Sequence, residues 1–193
     1  MLTYPNLSKG NIKIGRIWNF SLPPVITCQS STYCASKCYA RKAYRQYGAV
    51  RNCWDRNFDM IQNKLGREVL LEKLSKLMGE KYFRIHVSGD FFNQPYVDFW
   101  KEVAKKFRGT KFLAFTKAFS FDYSDRSDNL IIRASIFEGM SVEEIPPQFI
   151  LLPRFYSGRC AGERFEMATH CVGSCLNCHK CWDSTEDVRT ELH

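Results

Sequence analysis

Nine cysteines are spread over 193 residues, and most fall into two groups near opposite ends of the chain. The first runs Cys28-Gln29-Ser30-Ser31-Thr32-Tyr33-Cys34-Ala35-Ser36-Lys37-Cys38, three cysteines within eleven residues in a C-x5-C-x3-C pattern. The second runs Cys171-Val172-Gly173-Ser174-Cys175-Leu176-Asn177-Cys178-His179-Lys180-Cys181, with Cys160 eleven residues upstream. An odd number of cysteines argues against a fully paired disulfide framework. No run of about 18 apolar residues occurs, which argues against a membrane span. The start Met1-Leu2-Thr3-Tyr4-Pro5 has no basic stretch leading into an apolar one. The expectation is a cytoplasmic protein with no membrane partner, in which thiols serve as metal ligands. Two groups of soft ligands must then be held by whatever scaffold lies between them.

That scaffold has the composition to fold. The chain is 45% hydrophobic and 15% aromatic, enough to bury a core without disulfides. Its formal charge of +8 treats every cysteine as neutral. Ligation of two clusters by seven thiolates would lower it to roughly +5. Such a surface permits an anionic substrate or nucleic acid without requiring one.

In chain order, residues 1–15 are polar and read as an arm. Arg16 to Leu22 alternates apolar and polar, a strand ended by Pro23-Pro24. The first cysteine group follows as a loop. Tyr39 to about Leu65 reads as a helix with a break at Gly48, and Arg67 to Met78 as another stopped by Gly79. Lys37, Arg41 and Arg45, spaced four apart, form either a solvated face or an anion-facing rim.

A βαβ pattern comes next. Tyr82–Val87 is a strand, with Ser88-Gly89-Asp90 as its C-terminal turn. Gln94 to Phe107 is a helix, with Pro95 in its first turn and an apolar stripe of Val97, Trp100, Val103 or Ala104, and Phe107. Lys111–Thr116, Asn129–Ser135 and Gln148–Pro153 are further strands. Successive strands joined by crossovers imply an α/β fold, either a partial (β/α) barrel or a mainly parallel sheet. We expect a core over residues 1–155 and a cysteine-rich C-terminal extension over 156–193, packed as one compact unit.

Zinc usually takes four protein ligands arriving as two close pairs. The first group offers three, with Cys53 as the only nearby fourth. Three thiolates on one loop suit a 4Fe–4S cluster with one iron open, and zinc is the alternative. In the second group, the C-x2-C-x2-C run of Cys175, Cys178 and Cys181 wraps a cubane well. Its fourth ligand is Cys160 or Cys171. Cys160 is favoured because closing the longer loop anchors the C-terminal region. The cysteine left over and Cys53 are then ordinary buried thiols. His170 and His179 could serve zinc, but four thiolates are available without them.

With these residues in view, the chain resembles the radical S-adenosylmethionine proteins. Cys28, Cys34 and Cys38, with Tyr39 beside the last, are similar to that family's open cluster loop, although its usual spacing is C-x3-C-x2-C. Ser88-Gly89-Asp90 is similar to the turn that receives the methionine amine, although one glycine and an aspartate stand where two glycines and a glutamate are usual. Thr116, Lys117 and Ser135 fall where that family places contacts to the cofactor. The resemblance implies two 4Fe–4S clusters, S-adenosylmethionine as cofactor and a reductant such as flavodoxin or ferredoxin. The chain also resembles a small phage-encoded family, through Cys38-Tyr39-Ala40, His86-x-Ser88-Gly89-Asp90-Phe91-Phe92 and the terminal Cys-x2-Cys-x2-Cys-Trp. A phage origin would place the protein in the host cytoplasm.

Plainer readings stand beside these. Asp90 could cap the following helix, as Asp near a helix start often does. His86 fits a satisfied core histidine, Lys117 a solvated loop lysine, and Phe91 and Phe92 core positions. Three functions therefore compete. One is a radical enzyme. The second is a nucleic-acid-binding module with structural metal sites, its basic helix interleaved with Tyr39, Tyr44, Tyr47 and Trp54. The third is an electron carrier.

Overall fold

The computed structural model describes residues 5–29, 32–77, 79–140 and 145–190, without the side chains of Thr32, Tyr33 and Gln148. Ser30 and Ser31 of the first cysteine group, Met78 and the first four residues of the expected arm lie outside the described residues.

The expected arm is in part a strand. β1 (Ser8–Asn11) turns back onto β2 (Gly15–Phe20) as an antiparallel hairpin. After β2 come α1 (Thr32–Ser36), α2 (Tyr39–Gln46), α3 (Gly48–Ile61) and α4 (Lys64–Ser75). The expected break at Gly48 is present, and Tyr47 is the extended residue that makes it. Asn63 caps α4 by accepting a hydrogen bond from Gly66 N. Then follow β3 (Tyr82–Ile85), α5 (Gln94–Lys106), β4 (Lys111–Thr116) and β5 (Leu130–Phe137).

Gln148–Pro153 is not a strand. Pro147–Phe149 forms a single 3-10 turn, and the strand, β6, is Arg154–Ser157. Prolines at 146, 147 and 153 bracket the apolar run and deny it a ladder. Ile150 and Leu151 consequently point outward. The remainder comprises α6 (Glu163–Glu166), β7 (Thr169–His170), α7 (Lys180–Asp183) and β8 (Val188–Thr190).

Eight strands form one sheet in the order β1-β2-β3-β4-β5-β6-β8-β7, and every pairing from β2 onward is parallel. The fold is therefore mixed α/β around a mostly parallel sheet. From β2 to β6 each strand lies beside its predecessor. With right-handed crossovers this winding carries the connecting helices onto one face. On that face Phe20, Phe83, Ile85, Phe112, Leu130 and Ile132 meet α3, α4 and the stripe of α5, including Trp100, Val103 and Phe107. Asn129 closes the α5 end: its Nδ2 donates to the carbonyls of Ala104, Phe107 and Thr110.

The opposite face carries Ile17, Tyr82, Arg84, Leu113, Phe115, Ile131 and Arg133. The second cysteine group covers part of it, with Trp182 packed on Ile17 and Leu113. No helix is long and apolar enough to cross a membrane among the described residues.

Candidate functional site

In open α/β sheets the carboxyl ends of parallel strands are where loops converge and ligands bind. Here the residues singled out from the sequence gather at that edge. The first cysteine group follows β2, Ser88–Asp90 follows β3, Lys117 follows Thr116 at the end of β4, and Ser135 lies two residues before the end of β5.

Asp90 ties these ends together. Its Oδ1 accepts from Phe91 N at 2.8 Å and from Thr116 Oγ1 at 2.7 Å, and its Oδ2 accepts from Lys117 N at 2.8 Å. The carboxyl is buried, and burial raises its pKa against these lowering hydrogen bonds. Three of about four acceptor positions are used, so one is left for a ligand. Asp90 does not cap α5. Asn93 does, accepting from Tyr96 N at 2.9 Å. Lys117 is not a solvated lysine either: its Nζ donates to Ser135 Oγ at 2.9 Å. The hydroxyl of Ser88 is buried and has no partner among the described residues.

Gly89 seats the cysteine loop on this turn. Its φ of +84° is a left-handed conformation. A Cβ there would stand 2.7 Å from both Leu22 Cβ and Thr27 Oγ1. Thr27 Oγ1 donates to Pro23 O and accepts from Asp90 N, so the loop and the turn are joined through one hydroxyl. Tyr39, beside Cys38, donates to Val87 O. The expected loop contains a short helix, α1, with Cys34 inside it. Cys28 is pushed up to about 11, by burial first, then by Asp90, with Cys38 and Cys34 adding to the rise.

His86 lies under the same turn. It is buried, takes φ +60°, and shares a hydrogen bond with Tyr96 Oη at 2.8 Å through Nε2, while Nδ1 has no partner among the described residues. Burial, then Arg84, pushes its pKa down to about 3, so it is neutral. It is a core histidine satisfied on one side only. Phe91 is in the core, and Phe92 packs against it.

The second group is pinned to the sheet face. Arg133, fully buried on β5, donates from Nε to Cys181 O at 2.9 Å, from Nη1 to Glu186 O at 2.7 Å and from Nη2 to Ser184 O at 2.6 Å. Trp182 Nε1 donates to Phe83 O at 3.1 Å. Asp183 accepts from Tyr82 Oη and Lys111 Nζ, and His179 stacks on Tyr82 at 4.2 Å. Burial pushes Cys175 up to about 11, and Cys181, Cys171 and Cys178 add to the rise while Arg84 opposes it. Burial likewise raises Cys181, with Cys171 and Cys178 again contributing. Cys160, the favoured fourth ligand, stands apart. Its Sγ donates to Ser157 O at 3.7 Å, and burial and Glu138, not another cysteine, raise it. The fourth thiol near this group is Cys171.

Two residues that the sequence reading passed over lie between the groups. Arg84 sits 3.7 Å over the Phe115 ring. Burial works against its charge, and Tyr39, Cys181, Cys175 and Asp90 all favour it. Lys13, in the β1–β2 turn, accepts through its carbonyl from Cys175 N at 2.6 Å, while its Nζ lies 6.0 Å from the Tyr39 ring centre. Arg84 had a sequence signal, a charge within an apolar strand. Lys13 had none.

All nine cysteines are free thiols. Among the described residues no three Cys, His, Asp or Glu side chains are arranged to hold a metal ion. The expected ligand sets are therefore neighbourhoods of thiols and not closed coordination shells. Their chemistry still fits a soft metal or cluster. Cys28, Cys175 and Cys181, half-buried and with raised pKa values, are costly to ionise beside other thiols, and bound positive charge is what offsets that cost.

Comparison with known proteins adds relatives to this geometry. Residues 3–148 match the model of the Gene product 88 family. The chain is 32% identical over 130 residues to the Gene 88 protein of Mycobacterium phage D29, covering 59% of this chain and 53% of that protein. It is 31% identical over 148 residues to the Gene 88 protein of Mycobacterium phage L5, covering 67% of this chain and 61% of that protein. The matches thus span between half and two thirds of these relatives' length. No solved structure matches the chain. The phage-encoded family anticipated from the cysteine and Ser-Gly-Asp motifs has a name on these matches: the chain belongs to the Gene product 88 family.

Proposed function

We propose that this protein is an iron–sulfur enzyme that binds S-adenosylmethionine at the carboxyl edge of the sheet. The observation that carries this reading is the convergence of Cys28, Cys34, Cys38, Tyr39, Ser88–Asp90, Thr116, Lys117 and Ser135 on one edge, with the Ser88 hydroxyl buried and unpartnered there. Cys28, Cys34 and Cys38 would hold a 4Fe–4S cluster with one iron open. Cys171, Cys175, Cys178 and Cys181 would hold a second, closed one.

When bound, a reduced cluster of this kind would supply the electron for reductive cleavage of S-adenosylmethionine. The chain's own residues do the positioning. Asp90 offers its remaining lone pair to the methionine amine. Ser88 donates or accepts at the same turn, and the Lys117–Ser135 pair sets the far wall. Gly89 lets the cysteine loop approach. Arg84 keeps a positive charge between the two thiol groups.

Anaerobic purification with iron and sulfide counting is the first test. About eight irons per chain are expected for two cubanes. The reduced protein should then release methionine and 5′-deoxyadenosine. Iron-loaded protein that shows no S-adenosylmethionine binding by calorimetry overturns the reading.

One observation favours a second reading, a nucleic-acid-binding module with structural metal sites. Arg41, Lys42 and Arg45 line a shallow groove of about 450 Å³ on α2, beside Ser36 and Cys38. Tyr44 and Trp54, however, stack on each other at 6.2 Å and are not laid open as a platform. Zinc in place of iron, with DNA or RNA affinity that falls steeply as salt rises, would favour this reading.

A further inference from the structure

A cavity of about 640 Å³ opens beyond the carboxyl ends of β5, β6 and β8, within the size range of small-molecule sites. It lies past Ser135 on the same sheet edge, and none of its lining residues belongs to the thiol groups. Four ionisable side chains line it: Glu138, Arg159, His170 and Arg189. Arg189 is held in place. Its Nη1 donates to Phe165 O at 3.4 Å and lies 3.6 Å from Glu166, and the guanidinium sits 5.2 Å from the Phe165 ring centre. Its Nε is buried and has no partner among the described residues. Arg159 is anchored only by its backbone, whose N donates to Glu138 Oε2 at 3.5 Å, and its guanidinium has no protein partner among the described residues. Two planar forks with unused donors, one of them pre-oriented, match the geometry of an oxyanion. Glu138 forms no ion pair among the described residues, and it would repel a bare anion. The wall therefore suits a ligand that presents hydroxyl or amine donors beside its negative group.

We propose that this cavity binds a small hydroxylated oxyanion, a phosphate ester or a carboxylate, with Arg159 and Arg189 on the anionic group and Glu138 on the adjacent donors. The site stands on its own residues and holds whether or not a cluster occupies the cysteines. Isothermal titration of the full chain at fixed ionic strength tests it, with glycerol 3-phosphate and glycerate as the two arms and glycerol as the uncharged control. Saturable one-site binding of at least one anion, and none of glycerol, is expected. Arg159→Gln should weaken it about tenfold or more, as charge-assisted hydrogen bonds do. Arg159→Lys, which keeps the charge without the fork, should fall between. Lys64→Gln removes the same charge from an exposed position far along the chain and should titrate like the wild type. Absence of saturable binding in both arms, or equal losses in Arg159→Gln and Lys64→Gln, overturns the proposal.

Discussion

The two thiol groups are built differently. The second is fastened from beneath: a buried arginine, a tryptophan and an aspartate fix α7 to the sheet face through side chains from β3, β4 and β5. The first is fastened from the side. It meets the fold through the close approach at Gly89, the Thr27 hydroxyl and the contact from Tyr39 to Val87. Beneath it lies not a clamp but a polar network with a spare acceptor and an unpartnered hydroxyl. A group held by its own backbone carbonyls suits a fixed structural or relay role. A group whose neighbours retain unused polar atoms suits a place where something else binds. The difference in support runs the same way as the asymmetry in cysteine spacing.

The contrast can be broken at its strongest point first. Arg133→Ala leaves the carbonyls of Cys181, Ser184 and Glu186 without their buried donor. It should cost about 3–5 kcal/mol in urea unfolding, as loss of one partner from a buried charged network does. Limited proteolysis of this variant should cut first between residues 171 and 187, and intact resistance there would show that the clamp is not what holds the group.

Acid should act on the other side. The folded pKa of His86, about 3, lies below its ordinary 6.5, so the unfolded chain binds the proton more readily. Its contribution is present above about pH 6.5 and is lost as pH falls toward about 3. The full swing is on the order of 5 kcal/mol. Asp90, raised by burial, acts in the opposite sense: its contribution is present below its ordinary range and lost as pH rises through the folded value. His86→Phe should flatten the loss on the acid side, measured as urea midpoints from pH 7 to pH 4. An unchanged slope would place the acid sensitivity elsewhere.

Gly89→Ala comes next. The left-handed φ and the clash with Leu22 should cost about 1–3 kcal/mol and move the Thr27–Cys28 segment. On the iron–sulfur reading proposed above, loss of iron from the first group with retention by the second is the expected analytical result. The smallest effect is Asp183→Asn, which weakens a half-exposed pairing with Lys111 by less than about 1 kcal/mol. High salt should shrink that difference further.

Much of the fold was legible because its signals are local. β4 and α5 follow from an apolar alternation and a helical stripe capped by polar residues, and both lie within a residue of their expected bounds. β6 was hidden because its inward positions include Arg154, a buried charge that breaks the apolar pattern, while the more apolar run before it is walled by prolines. The edge positions Ser88–Asp90, Thr116, Lys117 and Ser135 were legible as a set, since strand ends in a parallel sheet come to one side. Their mutual bonding was not. Nothing in the sequence tells Asp90 from a helix cap until Asn93 is seen to do that work. Nor could spacing choose between Cys160 and Cys171, because the choice depends on where the chain returns between β6 and β8.

That return has a consequence for assembly. β8 lies between β6 and β7, and among the described residues β7 pairs only with β8. The backbone N–H of Cys171 donates to Arg189 O, so the start of the run from Cys171 to Cys181 is tied to β8 while its end is tied to the sheet face. Displacement of β8 would therefore loosen the Cys171 end of the run before the Cys181 end, whose carbonyl Arg133 still holds. Cys171, at the loosened end, would be the thiol first exposed to oxidation.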